Sequence, residues 1–218
     1  MAKPPRLDEF QRIARFFAPL SGKGALGLKD DVALIEGPPG TQYVLKTDAI
    51  VEGVHFFKDD PPRQIAQKLL RVNLSDLAAK GATPVGYLLT TALTDAQDER
   101  WLQEFSAGLR DDQRRFGIVL LGGDSTRTKG AAMLSVAAIG RIAKGRAPTR
   151  GGARPGDAIY LSGTIGDAAL GLAVAKGGLP KLSAAHRKFL LDRYRLPLPR
   201  LALGREMVGV ASASMDIS

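Results

Sequence analysis

The chain has 218 residues, 44% apolar and 24% charged, which is enough for one large domain or one and a half ordinary ones with a real core. It has no cysteine, which excludes a disulfide framework and a thiolate metal site, so any bound metal must take oxygen or histidine ligands, as hard cations such as Mg²⁺ do. The net charge of +9 is lopsided: residues 1–140 carry 18 basic and 17 acidic side chains and residues 141–218 carry 13 and 5, which fits a phosphate-binding region or a fragment lacking an acidic portion.

The opening stretch, "MAKPPRLDEFQRIARFF", lacks the apolar run of a signal peptide, and nothing later approaches the roughly 18 apolar residues of a membrane span. The expectation is a cytoplasmic protein with no membrane partner. Apolar runs bounded by turn residues predict strands over 31–35, 42–48, 85–93, 118–121 and 133–139. A helix is expected from Pro62, a favourable first-turn residue, to Gly81. Another is expected over 98–116, with "DER" at its start and "RR" near its end, both matched to the helix dipole. Strands and helices in this order imply a mixed α/β fold packed in layers.

The loop "GRAPTRGGARPGD" marks a boundary, giving an N-terminal α/β domain over 1–145 and the beginning of a C-terminal α/β domain over 146–218. Beyond it, "DAIYLSG" reads as a strand and "GDAALGLAVAKGG" as the helix that follows.

Several aspartates sit where apolar residues belong. Ile65, Leu69, Val72, Asp76 and Ala79 share one helical stripe facing the core. A lone buried carboxylate is costly, so Asp76 either escapes to solvent near the helix end or is compensated by a cation. Asp124 ends "GIVLLGGD", four apolar residues that read as a fully buried strand, then two glycines that let another group approach the backbone. Asp48 ends the strand "YVLKT" beside the hydroxyl of Thr47; Asp30 and Asp31 precede "VALI"; Asp216 lies between Met215 and Ile217. Each alone suits a turn. Together they suggest a shared Mg²⁺ centre bridging carboxylates to nucleotide phosphates, while no twelve-residue loop of regularly spaced acidic ligands favours Ca²⁺.

Other signals are weaker. A lone histidine such as His55 in "EGVHFF" is ordinarily a half-buried side chain, but its closeness to Asp48 draws it toward the site. "SGTIGD" lacks the Lys-Ser/Thr ending of a P-loop and reads mainly as a strand-to-helix turn. No Ser-His-Asp grouping marks a nucleophilic hydrolase. A nucleic-acid-binding module would interleave aromatics with its basic residues, and from Arg141 onward the only aromatics are Tyr160, Phe189 and Tyr194.

The segments "KDDVALI", "TDAIVEGVHF", "RVNLSDLAAKGATP", "LLGGDSTRT", "RGGARPGDAIYLSGTIGDAALGLA", "RLPLPRLALG" and "MDIS" follow one another as in the thiamine-monophosphate kinases, which the chain resembles almost throughout. "NLSDLAA.GA.P" and "GGD.TR" alone indicate only the wider superfamily related to aminoimidazole ribonucleotide synthetase, and "TD..VEGVHF" narrows it. The resemblance implies transfer of the γ-phosphoryl of ATP to thiamine monophosphate in a Mg²⁺-dependent homodimer, with no covalent intermediate and no nucleic-acid partner. It also implies a two-domain fold: the N-terminal sheet meets its dimer mate in a barrel-like interface, and the C-terminal domain lies across the nucleotide cleft. Carried over by motif position, Asp31, Thr47, Asp48, Asp76, Asp124 and Asp216 would be ligands to several Mg²⁺ ions. Gly123, Asp124, Arg150 and Ser218 would bind ATP, and His55 would contact the thiamine substrate. The alternative within the superfamily is another ATP-dependent synthetase; a selenophosphate synthetase should carry a reactive cysteine or selenocysteine, which this chain lacks.

Three features depart from the family pattern. Lys29 stands where a small residue is usual, and Lys46 where Ser or Thr is usual. On an alternating strand Lys46 points to the same face as Asp48, where it would replace part of a cation's charge or pair with a phosphate. The family motif continues beyond "MDIS", so the C-terminal domain is expected to be only partly present.

Overall fold

The structure, a computed structural model, describes residues 9–12, 14, 18–21 and 23–217. A short helix α1 (Glu9–Arg12) and 3₁₀ turns over Ala18–Leu20 and Lys23–Leu28 precede the first strand. The strands β1 (Ala33–Glu36), β2 (Thr41–Val51), β3 (Thr83–Leu93), β4 (Val119–Arg127) and β5 (Met133–Ala143) form one sheet in the order β1-β2-β5-β3-β4. All pairings are antiparallel except β3 with β4, which are parallel and joined through α3 (Glu99–Phe116), as a crossover requires.

One face of the sheet carries the core. Along β5, Leu134, Val136, Ala138 and Ile142 are buried while Met133 and Arg141 between and beside them are exposed, the alternation of a sheet covered on one side. The cover is α2 (Pro62–Ala79), whose Leu69, Leu70, Leu74 and Leu77 are wholly enclosed. Each buried leucine contributes roughly 1.5–3 kcal/mol, so the line of α2 over β2 and β5 is strongly set.

Helix α3 packs on α2. Asp98 caps its start by accepting from the Trp101 N–H, and Gly117 ends it in the left-handed conformation, φ 66°. The two helices approach so closely that a Cβ on Gly108 would lie 2.2 Å from the Arg63 carbonyl oxygen. Between them Arg71 grips Asp112 with a buried fork, Nε to Oδ2 at 2.6 Å and Nη2 to Oδ1 at 2.8 Å.

After β5 come a 3₁₀ turn (Arg150–Gly152) and helices α4 (Asp167–Ala175), α5 (Ala184–Arg195) and α6 (Leu201–Glu206). Helix α6 lies against the end of α2, where a Cβ on Gly204 would meet the Ala78 carbonyl at 2.0 Å. Among the described residues no helix is long and apolar enough to cross a membrane.

Three sequence expectations need correction. Residues 157–163 form no strand: Ile159 and Tyr160 are 98% and 92% exposed, and among the described residues no strand lies beside them to take their backbone hydrogen bonds. The apolar run before Asp124 is not fully buried either. It lies on the edge strand β4, where Val119, Leu120 and Leu121 are 53%, 46% and 56% exposed.

That strand also runs through Gly122 and Gly123 instead of stopping before them. Leu121 is the extra residue of a bulge, since Tyr87 pairs with Leu120 and Leu88 with Gly122. The group approaching Gly123 is its own neighbour: a Cβ there would sit 1.8 Å from the Leu89 carbonyl oxygen.

Candidate metal and phosphate site

The site forms where the middle of β2, the end of α2 and two distant loops converge. On β2 the pleat sends Lys46 and Asp48 to one face and the exposed Thr47 to the other. The strand is pinned there by Asn73, a fully buried residue of α2. Its Oδ1 accepts from the Asp48 N–H at 3.1 Å, while its Nδ2 donates to the Leu69 carbonyl. On the other side the Ser135 hydroxyl donates to the Asp48 carbonyl at 3.1 Å.

Asp76 lies one turn beyond Asn73 and is 2% exposed, so its helix-end position gives it no escape to water. Its compensating cation is Lys46, whose Nζ stands 3.2 Å from Asp76 Oδ2 and 3.1 Å from Asp48 Oδ1. Burial alone would lower the Lys46 ammonium, but the charges of Asp76 and Asp48 outweigh it and raise the pKa above its ordinary value.

A second cation, Lys80, sits one further turn along. Its side chain is 1% exposed and its Nζ reaches Asp30 Oδ1 at 3.0 Å and Asp31 Oδ2 at 3.5 Å. Lys80 also donates to the Ser214 carbonyl at 3.0 Å, fastening the segment that carries Asp216. Arg150 completes the set: its Nη1 is 3.0 Å from Asp31 Oδ1, and its backbone N–H donates to Asp30 Oδ2 at 3.0 Å. Burial tends to raise the Asp30 carboxyl, but the hydrogen bonds from Arg150 and Lys80 and the Lys80 charge hold it below the usual range.

Asp31, Asp76 and Asp216 each bring an oxygen to one point, all three within 4.8 Å of one another. Burial first, then the neighbouring Asp216, pushes the Asp76 carboxyl up to about 7; burial and Asp31 raise Asp216 likewise. Asp31 Oδ2 is buried and receives no hydrogen bond. Three crowded oxygen donors, one without a hydrogen bond, fit a hard divalent cation, which supplies the charge that such crowding lacks.

Residues 29–142 match the family described as AIR synthase related protein, N-terminal domain. The chain belongs to that family. The whole of the chain is 42% identical to the thiamine-monophosphate kinase of Caulobacter vibrioides, and 96% of it is 40% identical to that of Escherichia coli. It spans 60% and 65% of the lengths of those two relatives. The solved structure of AaThiL complexed with AMPPCP and TMP superposes with a TM-score of 0.89 at 28% identity, covering 100% of this chain and 69% of that one. The chain thus shares the α/β fold of that structure and is similar to thiamine-monophosphate kinases.

The other sequence candidates lie apart from the cluster. Gly123 and Asp124 are on β4, which is separated from β2 by β5 and β3. Three strand spacings amount to roughly 14 Å. Asp124 is exposed and accepts from the Ser125 N–H. Lys29 is exposed, and Ser218 lies outside the described residues.

His55 sits in the turn after β2, exposed, with its Nδ1 accepting from the Val51 N–H at 3.1 Å. A neutral imidazole held this way carries its proton on Nε2. Its carbonyl is held by Lys68 Nζ at 2.6 Å and by the Tyr194 hydroxyl at 3.0 Å, and Lys68 lies 3.5 Å above the Tyr194 ring.

Sequence reasoning missed Lys80 and Asn73. The signal for Lys80 was its place four residues after Asp76, one turn along the same helical face.

Proposed function

We propose that this protein transfers the γ-phosphoryl group of ATP to the phosphate of thiamine monophosphate, giving thiamine diphosphate and ADP. The observation that carries the reading is the match over the full length of this chain to the structure complexed with AMPPCP and TMP. In the reaction an acceptor phosphate oxygen bonds to the γ-phosphorus as the bond to the β-phosphate oxygen breaks, and the electron pair leaves with ADP. No side chain becomes covalently attached.

Asp31, Asp76 and Asp216 would hold one Mg²⁺, and Thr47, Asp48 and Asp124 are proposed as ligands of further ions that come with the nucleotide. Several ions would be bound when the nucleotide is present. Bound Mg²⁺ supplies charge neutralisation across the phosphates. Arg150 is permanently charged and forked, suited to a phosphate oxygen once it releases Asp31. Gly123, Asp124 and Ser218 complete the proposed ATP contacts. His55, presenting an Nε2–H donor, is assigned to the thiamine substrate.

A homodimer belongs to this reading. The uncovered side of β3, β4 and β5 exposes Leu88, Val119 and Met133, an apolar surface that a second copy would bury. So does a division into domains over 1–145 and 146–218, supported by the position of all five strands of the described residues before Lys144. A cytoplasmic location is part of the same proposal. The test is ADP release from the full-length protein with thiamine monophosphate, with and without Mg²⁺. Mg²⁺-dependent release is expected, and release only with a different phosphate or amide acceptor would overturn the assignment.

A further inference from the structure

The three carboxylates that converge on one point are Asp31, Asp76 and Asp216, and Asp48 is not among them. Asp48 is nonetheless fixed at the site by Asn73 and Ser135 on its two backbone groups, so its main chain has no freedom to swing. What occupies its carboxylate is the Lys46 ammonium, at 3.1 Å, on a side chain only 15% exposed. The same ammonium stands 3.2 Å from Asp76 Oδ2, so it touches Asp48 and one member of the trio at once.

We infer that Lys46 is a positioning residue that supplies a fixed cation between Asp48 and Asp76, directing a divalent ion to Asp31, Asp76 and Asp216 and keeping Asp48 out of its coordination. An ammonium is a compact point charge with three donors, and two of them are spent on these carboxylates. Mg²⁺ needs carboxylate oxygens at about 2.0–2.1 Å in near-octahedral array, so it and the ammonium exclude one another from the gap. Their like charges, a few ångströms apart in a half-buried site, repel as well. The chain thus carries as its own side chain a charge that a smaller residue at position 46 would leave to a metal. This inference rests on the metal reading above, but it concerns the resting protein and needs no turnover.

The test is calorimetric titration of the full-length protein with MnCl₂ alone, without nucleotide. Lys46→Thr should gain an additional Mn²⁺, or bind at least about tenfold more tightly, and Asp48→Asn in that background should remove the gain. In the otherwise unchanged protein Asp48→Asn should alter Mn²⁺ affinity by less than about threefold, whereas Asp76→Asn should abolish it. That comparison needs no Lys46 variant, so it decides the matter even if Lys46→Thr fails to fold. Lys46→Arg should keep the original stoichiometry. Loss of binding in Asp48→Asn equal to that in Asp76→Asn, or an unchanged titration in folded Lys46→Thr, would overturn the inference alone. Absence of Mn²⁺ binding in both parent and Lys46→Thr would overturn the metal reading and the inference together.

Discussion

Lys80 reaches across 134 residues of sequence to donate to the Ser214 carbonyl at 3.0 Å. With Asp30 and Asp31 on the same ammonium, this enclosed lysine ties the chain before β1, the end of α2 and the segment bearing Asp216 to one point. Lys80→Met should therefore leave Asp30 buried without its cation, at a cost of about 3–5 kcal/mol. It should also weaken divalent binding by freeing Asp216. Urea unfolding and Mn²⁺ titration measure the two effects. Lys80→Arg should recover more of the stability than of the ion affinity, because a planar fork does not retrace a point charge.

Asp76→Asn should preserve the fold, since an amide keeps the shape and a neutral group suits this burial. Mg²⁺-dependent ATP binding should fall by more than the roughly 10–100-fold that even outer-shell changes cost. Circular dichroism and nucleotide titration with and without Mg²⁺ check both halves, and retained Mg²⁺-dependent binding would count against a shared centre.

Arg71 and Asp112 join α2 to α3 through a pair whose side chains are 6% and 1% exposed. Arg71→Ala should destabilise the protein by about 3–5 kcal/mol by leaving Asp112 buried without its cation, with only the Gln67 amide donating to it. Arg71→Met with Asp112→Leu should cost much less, because neither buried charge remains. The difference between the two unfolding midpoints in urea tests this.

Lys68 is pushed down to about 8 by burial, only partly offset by Asp60. An unfolded lysine titrates near 10.4, so between about pH 8 and 10.4 the unfolded chain binds the extra proton. The Lys68 contribution to stability should rise with pH across that window and be lost as pH falls through about 8. Lys68→Met should flatten the slope of unfolding free energy between about pH 8 and 10, and an unchanged slope would contradict it.

Much of the architecture was legible because its periods are simple. The apolar run of β5 and the stripe Ile65-Leu69-Val72-Asp76 on α2 both pointed to the core, and the stripe put Asp76 on the core-facing side while leaving open an escape to solvent at the helix end. The position of Lys46 on the Asp48 face followed from the pleat, although its pairing with Asp76 did not. The run before Asp124 was misread because apolar residues announce that something covers them without saying whether it is the same chain. Residues 157–163 were misread because strand propensity does not supply a hydrogen-bonding neighbour.

What the sequence by itself determined is local in origin: most of the elements, the place of Asp76 on the core-facing stripe of its helix, the absence of thiolate ligands and the family motifs. Each follows from side-chain chemistry repeated at short spacing. What only the tertiary structure decided is which charges meet. It paired Lys46 with Asp48 and Asp76, and Lys80 with Asp30, and brought Asp216 to Asp31 and Asp76. It also left Asp124 three strands away. Electrostatic energy depends on distances of a few ångströms, and such distances between residues far apart in the chain are set by how α2 seats on the sheet.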